Sequence, residues 1–193
     1  MKKVLIVVAH PDDETIWMGG TLLRHKKDWD TTIISLCRES DSDRNQKFQK
    51  ACKILNSKGF ISDLDDEKLT PLKEEEIANI ILKYSKEDYD YIFTHGENGE
   101  YGHIRHKEIY KAVKNLIQKR KLKAKKVFFF SYLGKENDFQ GYAIYDSRAN
   151  IFIKLNEHEI LSKKSLIQEI YGYQKGGFEE KSSTNIEAFT KLK

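Results

Sequence analysis

The chain reads as an α/β protein, a mostly parallel sheet with helices on both faces, in a single domain over residues 1–193. Three observations carry that reading. Apolar runs of strand length recur along the chain, segments of helical period separate them, and no low-complexity linker or internal repeat divides them. A length of 193 residues suits one hydrophobic core.

Taken in order, residues 4–9 are continuously apolar, as expected of a strand buried on both faces. Residues 19–26 have helical character. Residues 31–36 (TTIISL) are β-branched and predict a second strand. From Asp43 to Leu55 the apolar side chains Phe48, Ala51, Cys52 and Leu55 fall at helical spacing. Thr70–Pro71 opens another helix, with Glu74, Glu75 and Glu76 at the favourable end of its dipole, running to about Tyr84. Residues 91–94 (YIFT) predict a third strand, residues 104–119 a helix with Ile109, Ala112, Val113 and Leu116 on one side, and residues 127–132 (VFFFSY) a fourth buried strand. Residues 149–155 are expected to form a last, partly exposed strand, and Asn156 to cap a final helix ending near Tyr171.

Composition excludes several classes. Hydrophobic residues make up 39% and charged residues 33%, which is neither a disordered chain nor a membrane-spanning one. The first residues mimic a signal peptide, but their apolar stretch is short and runs into acidic residues, so a cytoplasmic protein is expected. Cys37 and Cys52 are too few for a disulfide framework and read as reduced, partly buried thiols. The net charge of +4 owes much to Lys119–Lys126 (KRKLKAKK). With no base-stacking signature beside it, the run reads as a solvated helix end and loop, and no nucleic-acid partner is expected.

Chemistry concentrates after two predicted strands, where parallel sheets form ligand sites. The first group is His10-Pro11-Asp12-Asp13-Glu14, in which Pro11 ends the strand and three carboxylates stand beside an imidazole. Such a cluster can simply cap a helix, or it can be compensated by a divalent cation. The second group runs from Thr94 to His106 (THGENGEYGHIRH), with glycines that permit sharp turns. His103 and His106 lie three apart, on one side of a helical turn, so one can bind a metal while the other faces a reacting group. Together the two groups supply three protein ligands and one open position, as in a catalytic zinc site. His95 reads as a hydrogen-bonded strand-end histidine, and His25 and His158 as helix-surface residues.

AHPDDE and GEYGHIRH together resemble the PIG-L/LmbE-like N-acetylglucosaminyl deacetylases, and the resemblance extends over most of the chain. Residues 44–55 resemble that family's arginine-led helix, Asp66–Leu69 a short acidic turn, and Lys164, Tyr171 and Gln174 a C-terminal pattern. The resemblance implies a Rossmann-like fold and a zinc ion on His10, Asp13 and His106; ferrous iron and cobalt also suit such a donor set. It implies Asp12 as general base, a cationic His103 stabilising the oxyanion, and Arg44 touching the sugar or a phosphate-bearing aglycone. The implied reaction is hydrolysis of the N-acetyl group of an amino sugar, such as N-acetylglucosamine, or its conjugate. Nothing in the spacing itself separates Asp12 from Asp13. The chain departs from the family at the loop Cys37–Asp43, at Lys47 where a carboxylate is common, and at Tyr173 where serine is usual.

Two other enzyme readings keep the metal but cleave a different amide, or an ester or phosphoester. A third is a silent metal- or sugar-binding module, which would need neither Asp12 nor His103. A dinucleotide binder is disfavoured because the first strand is followed by HPDDE rather than a glycine fingerprint. Oligomeric state, a homo-oligomer included, is left open.

Overall fold

In the computed structural model, which describes residues 1–85, 88–135 and 141–192, the elements run β1 (Lys2–Val8), α1 (Asp13–His25), β2 (Trp29–Cys37), α2 (Ser42–Ile54), β3 (Ser57–Leu64), α3 (Glu74–Tyr84), β4 (Tyr89–Thr94), the single distorted turn α4 (Gly99–Gly102), α5 (Ile104–Gln118), β5 (Ala124–Phe130), β6 (Tyr132–Lys135), β7 (Tyr142–Tyr145), β8 (Ile151–Lys154), α6 (Glu157–Ser165), a π-helical turn (Leu166–Ile170), α7 (Phe178–Ser182) and β9 (Ile186–Lys191). The main sheet has the order β3-β2-β1-β4-β5-β9-β8. Its first five strands are parallel, and β9 pairs antiparallel with both β5 and β8. β6 and β7 form a separate antiparallel pair.

The run at residues 4–9 explains the layering. Val4, Ile6 and Val8 enter one apolar cluster, while Leu5, Val7 and Ala9 enter a second on the opposite face. A strand that is apolar at every position must be covered on both sides, and helices do this. Chain order reverses between β1 and β4, which places the topological switch point, and the crevice beyond it, at the carboxyl ends of those two strands. No helix among the described residues is long and apolar enough to cross a membrane.

The mostly parallel α/β architecture matches the expectation, with corrections at the margins. α1 starts at Asp13, not Gly19, because the helix is broken at Met18 (φ −149°, ψ 19°) and the pattern in the sequence shows only its second half. The break frees backbone N–H groups, and the buried Glu187 takes them: Gly20 and Thr21 N–H each donate to its carboxylate at 2.8 Å, and Thr21 Oγ1 donates at 2.6 Å. Lys163 Nζ neutralises the same carboxylate at 2.8 Å. Thus β9, α1 and α6 meet at one buried ion pair. A side chain on Gly20 would sit 2.4 Å from Leu155 Cδ1, so this close approach requires glycine.

Residues 149–155 are not the last strand, since β9 follows and inserts between β5 and β8. Asn156 does cap its helix, and forms a reciprocal capping box with Glu159. The Lys119–Lys126 run is a helix end, loop and strand start, with Lys119 and Lys125 exposed beside Glu74 and Asp90.

Replacing Glu187 with alanine leaves the Lys163 ammonium and two backbone N–H groups buried without their acceptor. The expected loss in urea denaturation is about 3 kcal/mol or more. A loss below about 1 kcal/mol, the worth of an ordinary hydrogen bond, would contradict this account.

Candidate active site

β1 ends at Val8, three residues before Pro11, and the chain turns at Asp12 with φ 125°, a strained value for a non-glycine residue, before α1 begins. Glu14 holds the turn. It is fully buried, its Oε2 accepts the Asp12 N–H at 3.2 Å, and its Oε1 accepts from Thr15 Oγ1 and Tyr171 Oη, each at 2.6 Å. The three carboxylates therefore part ways. Glu14 turns inward as a structural acceptor, Asp13 faces imidazoles, and Asp12 lines the crevice.

Asp13 is fixed by two donors. The Trp17 indole N–H reaches Oδ1 at 2.8 Å, and the His10 backbone N–H reaches Oδ2 at 2.8 Å. From β4 comes the second half of the site. His95 Nε2 accepts the Ala9 N–H at 2.9 Å, so its proton is on Nδ1 and donates to Glu100 Oε2 at 2.9 Å. The same Glu100 oxygen takes the Nδ1 proton of His106 at 2.5 Å, which leaves His106 Nε2 with a free lone pair. Glu100 reaches this position through a turn in which it has φ 57° and Gly99 and Gly102 have φ 65° and 99°. On the other side, His10 Nε2 donates to Asp66 Oδ1 at 3.0 Å, and Arg38 steadies Asp66 at 2.8 Å. In the neutral ring this leaves His10 Nδ1 with its lone pair as well; against burial, the Asp13 and Asp66 carboxylates raise the pKa of the ring to about 10, so a cation at Nδ1 takes the place of a proton.

These three free donors converge. His10 Nδ1 lies 3.2 Å from Asp13 Oδ2 and 3.3 Å from His106 Nε2, and the latter two atoms are 3.5 Å apart. A tetrahedral ion with ligands at about 2.0–2.1 Å separates its donor atoms by about 3.3–3.4 Å, so the triangle fits one divalent cation and leaves a fourth position. Other groupings also bring ligating atoms together: Asp13, His95 and His106; His10, His103 and His106; and His10, Cys37 and Asp66. The first is weakened because the Ala9 N–H occupies the Nε2 lone pair of His95. The third uses the His10 nitrogen that donates to Asp66.

Electrostatics separate the two aspartates. Although burial opposes it, the imidazoles of His106, His95 and His10 hold Asp13 well below the usual carboxylate range. Burial and the adjacent Asp13 charge push Asp12 up to about 8, against the pull of Arg44, His10 and Tyr173. A carboxylate poised near neutrality is suited to proton transfer. Despite burial, His95 and His106 bring Glu100 down to about 2, so it stays ionised and anchors both rings.

His103 lies beside this triangle, with ring centroids 4.8 Å from His10 and 4.7 Å from His106. Its Nδ1 accepts the Arg105 N–H at 3.3 Å and caps α5. Burial, together with His106 and His10, lowers its pKa to about 4. With Nδ1 accepting from Arg105, the ring proton lies on Nε2, 3.9 Å from Asp66 Oδ1. Arg44 lines the crevice but is engaged, donating to Asp12 Oδ2 at 3.0 Å and to Tyr173 Oη. The crevice has a volume of about 180 Å³; Ile16, Trp17, Tyr101, Tyr173 and Phe178 form its apolar side. That is below the range of about 300–1,000 Å³ for sites enclosing whole drug-sized ligands, so only the reacting end of a substrate is enclosed.

Sequence reasoning missed the supporting residues. Glu100 stands inside the GEYGHIRH segment, Asp66 inside the acidic turn and Tyr171 inside the C-terminal pattern, yet only the folded chain reveals what each one touches. His95 is the buried, hydrogen-bonded strand-end residue that its position suggested.

The family model described as GlcNAc-PI de-N-acetylase, PIG-L, matches residues 5–117, which include both loops of the site. No curated protein sequence gives a significant match. Among solved structures, a conserved protein of Thermus thermophilus superposes with a TM-score of 0.71 at 18% identity, covering 98% of this chain and 94% of the other. The N,N'-diacetylchitobiose deacetylase of Pyrococcus horikoshii, complexed with an inhibitor, gives 0.64 at 17% identity, with 99% and 84% covered. The 4-carboxy-2-hydroxymuconate hydratase of Pseudomonas putida gives 0.59 at 14% identity, with 100% and 96% covered. At these identities the likeness is one of fold.

Glu100→Gln retains the volume but removes the charge, and its NH₂ must face either the two imidazole protons that share Oε2 or the Gly96 N–H that bonds Oε1 at 2.7 Å. Metal affinity is expected to fall about ten- to a hundredfold, measured by competition with a chromogenic chelator. Unchanged affinity would mean that Glu100 does not orient His106.

Proposed function

This chain belongs to the GlcNAc-PI de-N-acetylase family and is a metal-dependent N-deacetylase, and on that premise we propose that it hydrolyses the N-acetyl group of an amino sugar or its conjugate at a zinc ion held by His10, Asp13 and His106. The observation that carries the reading is the triangle of lone pairs from those residues, with edges of 3.2–3.5 Å, next to a carboxylate that points into the same crevice. The substrate class is the one that the family's description names, and the Pyrococcus horikoshii deacetylase is likewise named for an N-acetylated sugar. A small crevice with an aromatic side and a charged side suits the acetamido end of a pyranose, with the rest of the molecule lying outside it.

When bound, the ion supplies a Lewis acid that acidifies water and polarises an amide carbonyl. Asp12 takes the proton of the attacking water and later returns it to the departing amine, so one carboxyl serves both proton transfers. General acid–base catalysis of this kind contributes roughly a hundred- to ten-thousandfold. The His103 ring donates from Nε2 to the carbonyl oxygen as negative charge develops there. A single preorganised donor of this sort is worth about a hundred- to a thousandfold in turnover. Glu100 and Asp66 keep the two ligating imidazoles in the tautomers whose lone pairs face the ion. Asp13 differs from Asp12 in function because its facing groups are imidazoles, whereas Asp12 faces Arg44 and Tyr173.

Metal analysis of the purified protein, paired with acetate and amine release across N-acetyl sugars, tests the reading. One zinc per chain is expected, with loss of activity on chelation and return on adding zinc; ferrous iron or cobalt restoring more activity would change the metal alone. Asp12→Ala should keep the metal and lose about a hundred- to ten-thousandfold in turnover, whereas His106→Ala should lose metal as well. Equal metal loss in the two variants, or release of phosphate in place of acetate, would overturn the assignment.

A further inference from the structure

We propose that Tyr173 is a positioning residue for the reaction: with Arg44 it pins one oxygen of Asp12, so that the other alone exchanges protons in the crevice. The inference rests on Asp12 being the proton-transfer group. Its basis is how the C-terminal segment meets the turn after β1. α6 ends in a π-helical turn, where Tyr171 N–H bonds to Leu166 O at 3.0 Å and Tyr173 N–H to Ile167 O at 3.1 Å. The wider turn re-aims the side chains that follow, and Gly172, with φ 81°, completes the bend. As a result both tyrosines reach the same turn, their ring centroids 6.4 Å apart. Tyr171 donates to Glu14, and Tyr173 donates to Asp12 Oδ2.

Donor counting settles the direction of each bond. An arginine has no acceptor, so Arg44 Nη1 donates both to Asp12 Oδ2, at 3.0 Å, and to the phenol oxygen. The phenol proton is then directed at Oδ2. Arg44 also lies over the Tyr173 ring, 5.4 Å from its centroid, which holds the pair together. Oδ2 thus receives two donors, one of them charged. Among the described residues none donates to Oδ1, yet every fully buried side-chain polar atom has a partner, so Oδ1 is open to the crevice. Rotating the carboxyl would break a charge-assisted bond and the phenol bond together. The proton taken from water therefore rides on Oδ1, on the side where the departing amine must collect it.

The test is Tyr173→Phe, which keeps the ring and removes only the hydroxyl. On an N-acetyl sugar turned over by the wild-type protein, kcat is expected to fall by about tenfold or more, the worth of a hydrogen bond to a charged group, with KM, metal content and melting temperature unchanged. In the Asp12→Ala background the same substitution should have no further effect on the residual rate, because Tyr173 acts through Asp12. If Asp12→Ala abolishes turnover while Tyr173→Phe matches wild type, the inference fails and the catalytic reading stands. A raised KM at constant kcat would make Tyr173 a substrate contact, and an undiminished loss in the Asp12→Ala background would make it structural; either result overturns the inference. Full turnover by Asp12→Ala would sink the catalytic reading, and the inference with it.

Discussion

The bond from the Ala9 backbone N–H to His95 Nε2 is the contact on which the site depends. It joins the first residue beyond β1 to the first beyond β4, just past a parallel pairing that ends at Val7 and Thr94. Because that N–H can only donate, it fixes the His95 tautomer, and His95 then donates to Glu100. Glu100 in turn fixes the tautomer of His106. A backbone group of the sheet thereby determines which nitrogen of a histidine on α5 has a free lone pair. His95 and His106 stack with centroids 3.8 Å apart, so the relay is rigid as well as directional. All of it is buried from water, where hydrogen bonds to an ionised carboxylate are strong and loss of any one is costly.

This relay explains where the backbone is strained. Asp12 and Glu100 both have positive φ, and each is held by what surrounds it: Asp12 by Glu14, and Glu100 by two imidazoles and the Gly96 N–H at 2.7 Å. Residues in such conformations persist only where their neighbours over-determine them. Of the six non-glycine residues with positive φ among the described residues, these two lie on the two loops that meet at the triangle.

Much of this was legible in the sequence, and the rest fails to show for identifiable reasons. β1 and β5 stand out because each ends in an unbroken apolar run, residues 4–8 and 127–130, of the kind found in strands covered on both faces. β3 (SKGFISDL) escapes notice because it is an edge strand with polar residues and Gly59. β9 (IEAFTK) carries Glu187, a charge that reads as exposed and is in fact fully buried against Lys163 and the break in α1. The family pattern points to Lys164, yet it is Lys163 that faces the core, while Lys164 pairs with Glu180 nearer the surface. His10, His103 and His106 could be recognised as chemistry-bearing because they follow strands. The separate characters of Asp12 and Asp13 could not, since they depend on partners up to 161 residues away in the chain, such as Tyr173.

That distance bears on what the fold alone can say. A hydratase shares this architecture at a TM-score of 0.59, so a sheet with a crevice at the β1/β4 reversal does not by itself select deacetylation. Selection comes from what is placed around the crevice. The two loops that carry His10, Asp13 and His106 are contained in the family match, residues 5–117. The third wall, with Tyr173 and Phe178, comes from the segment after the π-helical turn, outside that match, and Tyr171 of the same segment holds Glu14 behind it. Since Glu14 and Asp12 each hydrogen-bond to that segment, the turn after β1 answers to both parts of the chain. A change in the C-terminal segment can therefore alter the geometry of the Asp12 carboxyl, to which Tyr173 bonds, more directly than that of His10, Asp13 and His106, whose hydrogen bonds come from the two loops.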